Sequence, residues 1–599
     1  HSRKILFNII KRFDISFEMK VVNRKADGVL AISTYLRDYY KKYAVVYLIA
    51  FIAMSLSTAL DLISPLVTRK LVNEVIIPRE MENLMNILIT FIWMALGRCV
   101  FQYTKEFLCD WAGSKIACEV RSKIFRKLQS LSANFFDKHN SGELMARVRD
   151  DVDRIWDCFS YISILMAEVV IRTIIALYCM FAINWKLSII PALCMIGASV
   201  IAIRMEKKLD IVFGQIAEEN SLLNNTAQEN LSGVRTVKAF SKERFEIKKF
   251  RSKNQKYYNL NIEQSKIFVK YNPILQCITY LLPTTVLLTG GILSIKDGLS
   301  IGDLTAMVQY AMNIVWPMEM LGWLTNGLSS AKASTKRLNK IFAENPDITE
   351  PAIENKQQIL GNIQFNNVGY KTLSGRDILK DISFSVKAGE TLGIMGASGS
   401  GKTTLINVLK RMYDVTEGSI TLDGVDIRHL SLGILRKNIT CVMQDVFLFS
   451  DTILGNIKLG GKDSISTESV KEALEKASAG DFVKKMKEGH DTVIGERGIG
   501  LSGGQKQRIT IARALARETP ILVLDDSTSA LDTETEKEIQ ETLKELSGMT
   551  KIIISHRISA VRRADKIIVL DKGKIAEMGT HEELMKNQGL YFQTYKSQY

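Results

Sequence analysis

Residues 396–403 read Gly-Ala-Ser-Gly-Ser-Gly-Lys-Thr, which is the spacing G-x-x-x-x-G-K-[ST]. An apolar, strand-like run (391–395) precedes this stretch, and a helix-like run follows it from Thr404. A phosphate-binding loop requires this order of strand, glycine-rich turn and helix. The glycines let backbone N–H groups turn towards a polyphosphate, and the helix N-terminus adds the positive end of its dipole.

We therefore expect a nucleotide site in which Lys402 reaches the β- and γ-phosphates and Thr403 holds Mg²⁺. The residues predicted to surround the phosphates are Gly396, Ala397, Ser398, Gly399, Ser400, Gly401, Lys402, Thr403 and Thr404.

The composition predicts a membrane part joined to a soluble part. The chain has 599 residues, 46% of them hydrophobic and 24% charged, with a formal net charge of +15. Basic flanks of membrane helices account for this charge better than nucleic acid does, so we expect no nucleic-acid partner. None of the eight cysteines forms a C-x-x-C pair, and most lie in apolar stretches, so they are interpreted as small buried hydrophobic residues.

Residues 1–43 are polar and basic and are predicted to be a cytoplasmic extension at the membrane surface. Residues 44–330 are predicted to form an all-α transmembrane domain of six helices, since a bilayer is crossed in roughly 20 apolar residues. The six segments lie near 44–67, 84–107, 160–183, 185–206, 268–294 and 301–326.

The connections between these segments predict their orientation. Lysine and arginine concentrate in the long connections, about 108–159 and 207–267, which places both chain termini in the cytoplasm. Each long connection keeps helical periodicity and is interrupted once, at 134–144 and at 229–240. A small helix at such a turn would dock on a cytoplasmic domain and pass motion to it; the alternative is a plain solvated turn.

Ionisable residues inside the predicted spans should face the bundle interior or a wet cavity, because a charge in lipid costs a few kcal/mol or more. One interpretation is a cavity for amphipathic substrates, in which flexible methionines and broad aromatic rings adapt to the ligand. The alternatives are salt bridges between helices and plain helix packing. The candidate cavity residues are Arg98, Arg172, Trp316, Glu319, Met320 and Trp323, and Asp61 is a further ionisable residue inside a predicted span.

Residues 331–360 are predicted to be a polar linker, and residues 361–599 alternate strands and helices as in an α/β P-loop ATPase domain. Around the phosphate loop, Tyr370 is a candidate for stacking on adenine. Gln444 follows a strand and is a candidate for touching Mg²⁺ or the attacking water. Asp525 ends the apolar strand 521–525 and is expected to support Mg²⁺.

Two further positions are candidates for catalysis. Asp526 stands where a water-orienting carboxylate belongs, and His556, at a strand end, would hold the γ-phosphate and position water. A second phosphate-binding segment opens the helix that begins near residue 503, with the helix dipole behind it. Its residues are Leu501, Ser502, Gly503, Gly504 and Gln505.

Together these motifs resemble an ABC transporter of the exporter type. The resemblance covers Walker A (396–403), the Gln loop, the 495–498 segment, the signature (501–505), Walker B (521–525), the D-loop (529–532) and the His switch. It implies a half-transporter that pairs with a second chain. Two ATP molecules are then sandwiched, each between the Walker motifs of one chain and the signature of the other.

One residue departs from the family pattern. The family has a catalytic glutamate after the Walker B aspartate, and this chain has Asp526. Its carboxylate would sit roughly 1 Å or more from the required place, which can cost about 10²-fold in rate. The sequence thus resembles the degenerate-site chain of a heterodimeric bacterial multidrug exporter, with a non-identical half-transporter as partner and drugs or membrane lipids as substrates. The alternatives are a homodimeric lipid flippase, a peptide exporter, a siderophore transporter, and an ATP-gated channel or regulatory subunit.

Overall fold

The computed structural model describes residues 38–296, 298–350, 358–372, 374–461, 465–495, 498 and 500–598. They form two compact units. One unit comprises the chain up to Ser130 together with His139–Asn345, and the other comprises Leu131–Lys138 together with Pro346–Tyr599. The predicted extension 1–43 therefore lies mostly outside the described residues; of its last part, Lys42 pairs with Glu119 at 2.5 Å.

The first unit is all helical. Three short π-helical segments interrupt it, at Leu71–Ile76, Arg147–Asp151 and Cys158–Ile162. The helices, with the one short helix that belongs to the second unit, are α1 (Ala44–Lys70), α2 (Leu84–Ser130), α3 (Ala133–Lys138, second unit), α4 (Ser141–Ala146), α5 (Val152–Asp157), α6 (Ser163–Ile183), α7 (Trp185–Ser232), α8 (Val234–Ala239), α9 (Glu243–Lys296) and α10 (Ile301–Ala343).

Among the described residues, five helical stretches are long and apolar enough to cross a membrane: Ala44–Ile76, Leu84–Ser130, Ser141–Ile183, Trp185–Ser232 and Glu243–Lys296. They contain the first five predicted segments. The sixth predicted segment, 301–326, lies in α10, which is not one of the five. This helix carries Asp303 and Glu319 within the predicted segment, and charged groups lower its apolar character.

The long helices extend well beyond bilayer thickness. At 1.5 Å per residue, the 47 residues of α2 and the 54 residues of α9 exceed the roughly 20 needed to cross. The two interruptions predicted in the long connections are occupied by the short helices α3 and α8. Helix α10 continues to Ala343, so the boundary predicted at residue 330 falls inside a helix in which Ala331, Leu338 and Ile341 are buried.

The second unit contains two sheets. The strands are β1 (Ile363–Lys371), β2 (Asp377–Val386), β3 (Thr391–Gly396), β4 (Glu417–Leu422), β5 (Val425–Asp426), β6 (Ile439–Val442), β7 (Ile521–Asp525), β8 (Thr550–Ile554), β9 (Lys566–Asp571) and β10 (Lys574–Gly579). The smaller sheet has the strand order β2-β1-β4-β5. The larger sheet has the order β10-β9-β3-β8-β7-β6 and is parallel except for the antiparallel edge strand β10.

Helices surround the larger sheet. They are α11 (Lys402–Leu409), α12 (Leu432–Asn438), α13 (Ile453–Ile457), α14 (Thr467–Lys476), α15 (Gly480–Lys484), α16 (Gly503–Leu515), α17 (Thr533–Glu545), α18 (Ile558–Val561), α19 (His581–Asn587) and α20 (Leu590–Gln598). Strand β7 is buried at every position, as expected for a central parallel strand covered on both faces. The carboxyl ends of β3, β7 and β8 therefore meet at one edge of the sheet, where the predicted site residues follow them.

Candidate functional site

The phosphate loop joins β3 to α11, as the sequence predicts. Two of its glycines are required by geometry. Gly401 precedes α11 with φ of +103°, and a Cβ there would lie 2.8 Å from Leu379 Cδ2. Gly396 has φ of +151°, and its Cβ would lie 2.3 Å from the Leu570 carbonyl oxygen. Any larger residue at either position would move the loop away from the sheet.

Lys402 is folded back on the loop that carries it. Its ammonium donates to the carbonyl oxygens of Gly396, at 2.8 Å, and of Ala397, at 2.9 Å. Burial lowers the pKa of Lys402, and the neighbouring Asp525 and Asp526 carboxylates oppose that shift.

Buried Ser400 supports the assignment of this loop to a ligand. Its hydroxyl oxygen is buried and makes no hydrogen bond within the described residues. Buried polar atoms without partners are uncommon in folded proteins. A phosphate oxygen next to the loop would supply the missing partner.

Asp525 and Thr403 form the candidate magnesium site. Asp525 is buried at the end of β7. The pKa of Asp525 is raised, chiefly by burial. A hydrogen bond from Thr403 and the positive charges of Lys402 and His556 oppose this rise only in part. Among the described residues no three His, Cys, Asp or Glu side chains converge. A bound Mg²⁺ would take one hydroxyl, one carboxylate directly or through water, and otherwise phosphates and water, which suits its preference for few protein ligands.

Asp526 has a left-handed backbone, with φ of +44°. Its N–H donates to the Ile554 carbonyl at 2.9 Å, so the residue after β7 is tied to the end of β8. Aspartate tolerates this conformation better than most residues. Within the described residues its half-buried carboxylate makes no hydrogen bond, so it remains available to a water or to a ligand.

His556 follows β8 and is exposed. The next residue, Arg557, organises the segment, and sequence reasoning gave it no role. Its guanidinium donates to the buried Glu536 carboxylate at 2.6 Å and to the Ser529 carbonyl at 3.2 Å. It thereby links the His switch to the first residue of the D-loop.

The signature segment caps α16. Ser502 accepts from the Gln505 N–H, and the Gln505 side chain accepts from the Ser502 N–H, which is a capping box. Inside α16, Gln507 accepts from the Ala530 N–H at 3.1 Å, so the helix is tied to the D-loop. Within the described residues no hydrogen bond or ion pair joins residues 501–505 to the phosphate loop. Of the 495–498 segment, residues 496 and 497 lie outside the described residues.

Tyr370, the candidate adenine platform, is 8% exposed at the end of β1. Its ring lies 5.5 Å from the ring of Tyr413, centroid to centroid. The Tyr413 hydroxyl donates to the Asp137 carboxylate of α3 at 2.8 Å. Burial, reinforced by this hydrogen bond and by the charge of Asp137, raises the pKa of Tyr413. Gln444 is exposed, and its side chain makes no hydrogen bond in the described part of the chain.

Helix α3 thus packs within the second unit, as predicted for a small helix in the 134–144 interruption. Two more hydrogen bonds hold the helix and the residue before it, from Asn134 to Asp347 at 2.9 Å and from Ser132 to the same carboxylate at 3.2 Å. Sequence reasoning found this segment but missed its partners Tyr413 and Asp347, which are far away along the chain.

Five ionisable residues of the predicted spans form a connected charge network. Lys105 pairs with Glu168 at 2.8 Å, and Arg172 contacts Glu168 at 3.4 Å and Asp61 at 2.8 Å. Arg98 extends the network with a bond to Asp61 at 2.5 Å. The five members carry three positive and two negative charges, and Arg98 is the most exposed of them, at 51%.

The aromatic and methionine residues of α10 divide into two groups. Trp316 lies under the Arg172 guanidinium at 5.9 Å, which is a cation–π contact with the charge network. Trp323 instead stacks on Tyr161 at 5.8 Å, and Met320 packs in the nearby apolar cluster. Glu319 is exposed. The predicted cavity residues are therefore not one cluster: Arg98, Arg172 and Trp316 share the network, while Met320 and Trp323 pack elsewhere.

A phosphate loop, a buried Walker B carboxylate and a capped signature helix, following a set of membrane-spanning helices, define an ATP-driven exporter half with a helical membrane domain. The chain belongs to the ABC transporter family. The family model described as "ABC transporter transmembrane region" matches residues 47–318, and the model described as "ABC transporter" matches residues 379–529. The chain is thus an ATP-hydrolysing, membrane-spanning ABC exporter half.

Three of its relatives are bacterial proteins. An uncharacterized ABC transporter ATP-binding protein of Bacillus subtilis, YknU, is 36% identical over 94% of this chain and 97% of its own length. An ATP-dependent lipid A-core flippase of Desulfotalea psychrophila is 33% identical over 93% of this chain and 97% of its own length. A solved bacterial Atm1-family ABC exporter with ATP bound superposes with a TM-score of 0.79 at 27% identity, covering 93% of this chain and 99% of that one.

Proposed function

We propose that this chain is one half of a heterodimeric bacterial plasma-membrane exporter of amphipathic drugs or lipids, with both termini in the cytoplasm. Its own Walker site binds ATP with Mg²⁺ and hydrolyses it slowly, and its signature completes the competent site of a non-identical partner. The observation that carries the proposal is Asp526 in the position after Walker B. The motif that binds ATP, with Lys402, and the signature that would complete the partner's site, with Ser502, both keep the family pattern.

The geometry around Asp526 supports a slow site. Its backbone is fixed by the bond to Ile554, so the carboxylate has little freedom to advance towards a water. A side chain one methylene shorter than glutamate then leaves a gap of roughly 1 Å, which is worth about 10²-fold in rate. Thr403 and Asp525, which would hold Mg²⁺, keep the family residue types.

The helical unit supports an amphipathic substrate. Arg98 is half exposed and carries the surplus positive charge of the network, while Trp316 presents a broad aromatic face beside Arg172. A ligand with an apolar body and a polar or charged head would use both features. The exposed Glu319 carboxylate would also accept ligands whose head group is cationic.

The test compares the chain alone with the chain purified together with its partner. We expect weak ATP hydrolysis by the chain alone and strong hydrolysis by the pair. In the pair, Asp526→Ala should leave most of the turnover, whereas Ser502→Ala should remove most of it, because Ser502 serves the partner's site. Vigorous turnover by a homodimer that Asp526→Ala does not diminish would overturn the proposal.

A homodimeric lipid flippase is the second candidate, favoured by the flippase names of relatives at 32–33% identity over more than nine tenths of this chain. The same two variants separate the candidates. In a homodimer every site carries Asp526, so Asp526→Ala and Ser502→Ala should remove turnover to the same extent. Reconstitution with fluorescent phospholipids and with amphipathic cations would then identify the substrate class.

A further inference from the structure

The last described helix holds the backbone of the His switch. The Gln598 side-chain amide donates from Nε2 to the His556 carbonyl at 2.7 Å, and its Oε1 accepts from the Ile558 N–H at 2.9 Å. One amide group thus bonds the main chain on both sides of Arg557. Ile558 is fully buried, so its N–H has no access to water as an alternative partner.

Helix α20 presents this amide from a fixed position. At its start, Glu577 accepts from the N–H groups of Leu590 and Tyr591. The Tyr591 ring is 1% exposed, and its hydroxyl bonds His581 Nδ1 at 2.7 Å. A helix anchored in this way at its first turn can hold Gln598, two turns later, at a constant distance from the His switch.

The His-switch segment has few other restraints. The Arg557 guanidinium points away to Glu536 and Ser529, and the Arg557 N–H donates to the Ser555 hydroxyl. The exposed His556 ring makes no hydrogen bond within the described residues. Its direction is therefore set by the backbone at residue 556, and the Gln598 amide is what fixes that backbone on the carbonyl side.

We propose that Gln598 is a positioning residue for His556 and directs the imidazole towards the γ-phosphate of bound ATP. The inference rests on the nucleotide site proposed above. Because ADP lacks the γ-phosphate, a loss of this positioning should weaken the binding of a triphosphate and leave the binding of a diphosphate unchanged. A general loosening of the domain would weaken both.

The experiment measures equilibrium binding of Mg²⁺–AMP-PNP and Mg²⁺–ADP to the full chain in lipid nanodiscs. The variants are Gln598→Ala, His556→Ala and the double variant. The matched control is Gln593→Ala, on an exposed position of the same helix whose side chain makes no hydrogen bond within the described residues. We expect Gln598→Ala and His556→Ala each to weaken AMP-PNP binding by about tenfold, the order of one hydrogen bond to a charged group, with ADP binding unchanged. The double variant should lose no more than His556→Ala alone, since the two residues act as one unit.

Four results would overturn the inference. An equal loss of AMP-PNP and ADP binding in Gln598→Ala would assign Gln598 a purely structural role. A loss in His556→Ala without one in Gln598→Ala, or additive losses in the double variant, would separate the two residues. If His556→Ala itself leaves AMP-PNP binding unchanged, the proposed role of His556 at the γ-phosphate fails first, and the inference fails with it.

Discussion

The substitution Asp526→Glu should increase ATP hydrolysis by this chain. Glutamate adds one methylene, which extends the carboxylate by about 1.5 Å along the chain of C–C bonds. This closes the gap of roughly 1 Å, so a recovery of up to about 100-fold is expected, equivalent to about 2.7 kcal/mol of barrier. The backbone bond to Ile554 stays, because it does not involve the side chain.

The gain should come at a small cost in stability. Residue 526 has φ of +44°, a conformation that aspartate accepts more readily than glutamate. The penalty is at most about 1 kcal/mol. We therefore expect Asp526→Glu to raise the rate of ATP hydrolysis and to lower the melting temperature slightly.

The assay is phosphate release by the chain paired with its partner, in lipid nanodiscs at saturating Mg²⁺–ATP. Every chain compared, the reference included, carries Ser502→Ala, so that the partner's site is silent and the Asp526 site is measured. Asp526→Asn is the matched control, since it keeps the length of aspartate and removes the charge. Addition of Lys402→Ala to the Asp526→Glu variant gives the background from contaminating ATPases. Turnover of Asp526→Glu within twofold of the reference chain would refute the reasoning, because carboxylate length would then not limit the rate.

Three further predictions concern other contacts. Glu168→Gln should lower the free energy of unfolding by about 3–5 kcal/mol, because it leaves the buried Lys105 charge without a carboxylate. The melting temperature in detergent should fall by roughly 6–10 °C, and a Glu→Gln substitution at an exposed position of the same domain should lower it by less. Tyr413→Phe removes only the bond to Asp137, worth about 1 kcal/mol, so substrate-stimulated ATP hydrolysis should fall severalfold while basal hydrolysis stays; unchanged stimulation would contradict this. Burial raises the pKa of Asp423, but three backbone N–H groups and one side-chain amide outweigh it, so the pKa is lowered. Its carboxylate therefore stabilises the fold at neutral pH and loses this effect as the pH falls through that lowered value. Asp423→Asn should lower the melting temperature at pH 7, and this difference should disappear at a pH below the lowered pKa.

The nucleotide site could be predicted because its chemistry is local in sequence. The spacing from Gly396 to Thr403 fixes a strand, a turn and a helix start, and the structure has all three. Asp525 was predictable for a similar reason: a run of four apolar residues (521–524) ends in a carboxylate, and parallel strands bring their carboxyl ends to one edge.

The contacts between distant segments could not be predicted. Tyr413 and Asp137 are 276 positions apart, and nothing in the sequence around either residue identifies the other. The Gln598 amide is likewise ordinary in its local sequence and acquires a partner only through the fold of α20. In the helical unit, buried Asp151 is bound by Arg337 and Ser334, a set that joins the π-helical segment at 147–151 to α10.

The predicted linker shows a different limit. Residues 331–343 are polar enough to suggest a connector, yet α10 runs through them. Few of their side chains need to be apolar, because the buried positions Ala331, Ser334, Thr335, Leu338 and Ile341 lie on one side of the helix and two of them are polar. Composition averaged over such a segment conceals a narrow buried stripe.

The compact unit that contains the ATPase fold is discontinuous in sequence, since Leu131–Lys138 belongs with Pro346–Tyr599. A protein fragment that begins at residue 346 would therefore lack the hydrogen bonds that Ser132 and Asn134 donate to Asp347. In this fragment the Tyr413 hydroxyl would also lack its hydrogen-bond acceptor, the Asp137 carboxylate of α3. Supplying residues 131–138 as a synthetic peptide, or grafting them through a short tether, would restore the missing piece and would make the solubility and folding of the fragment a direct report on that eight-residue segment.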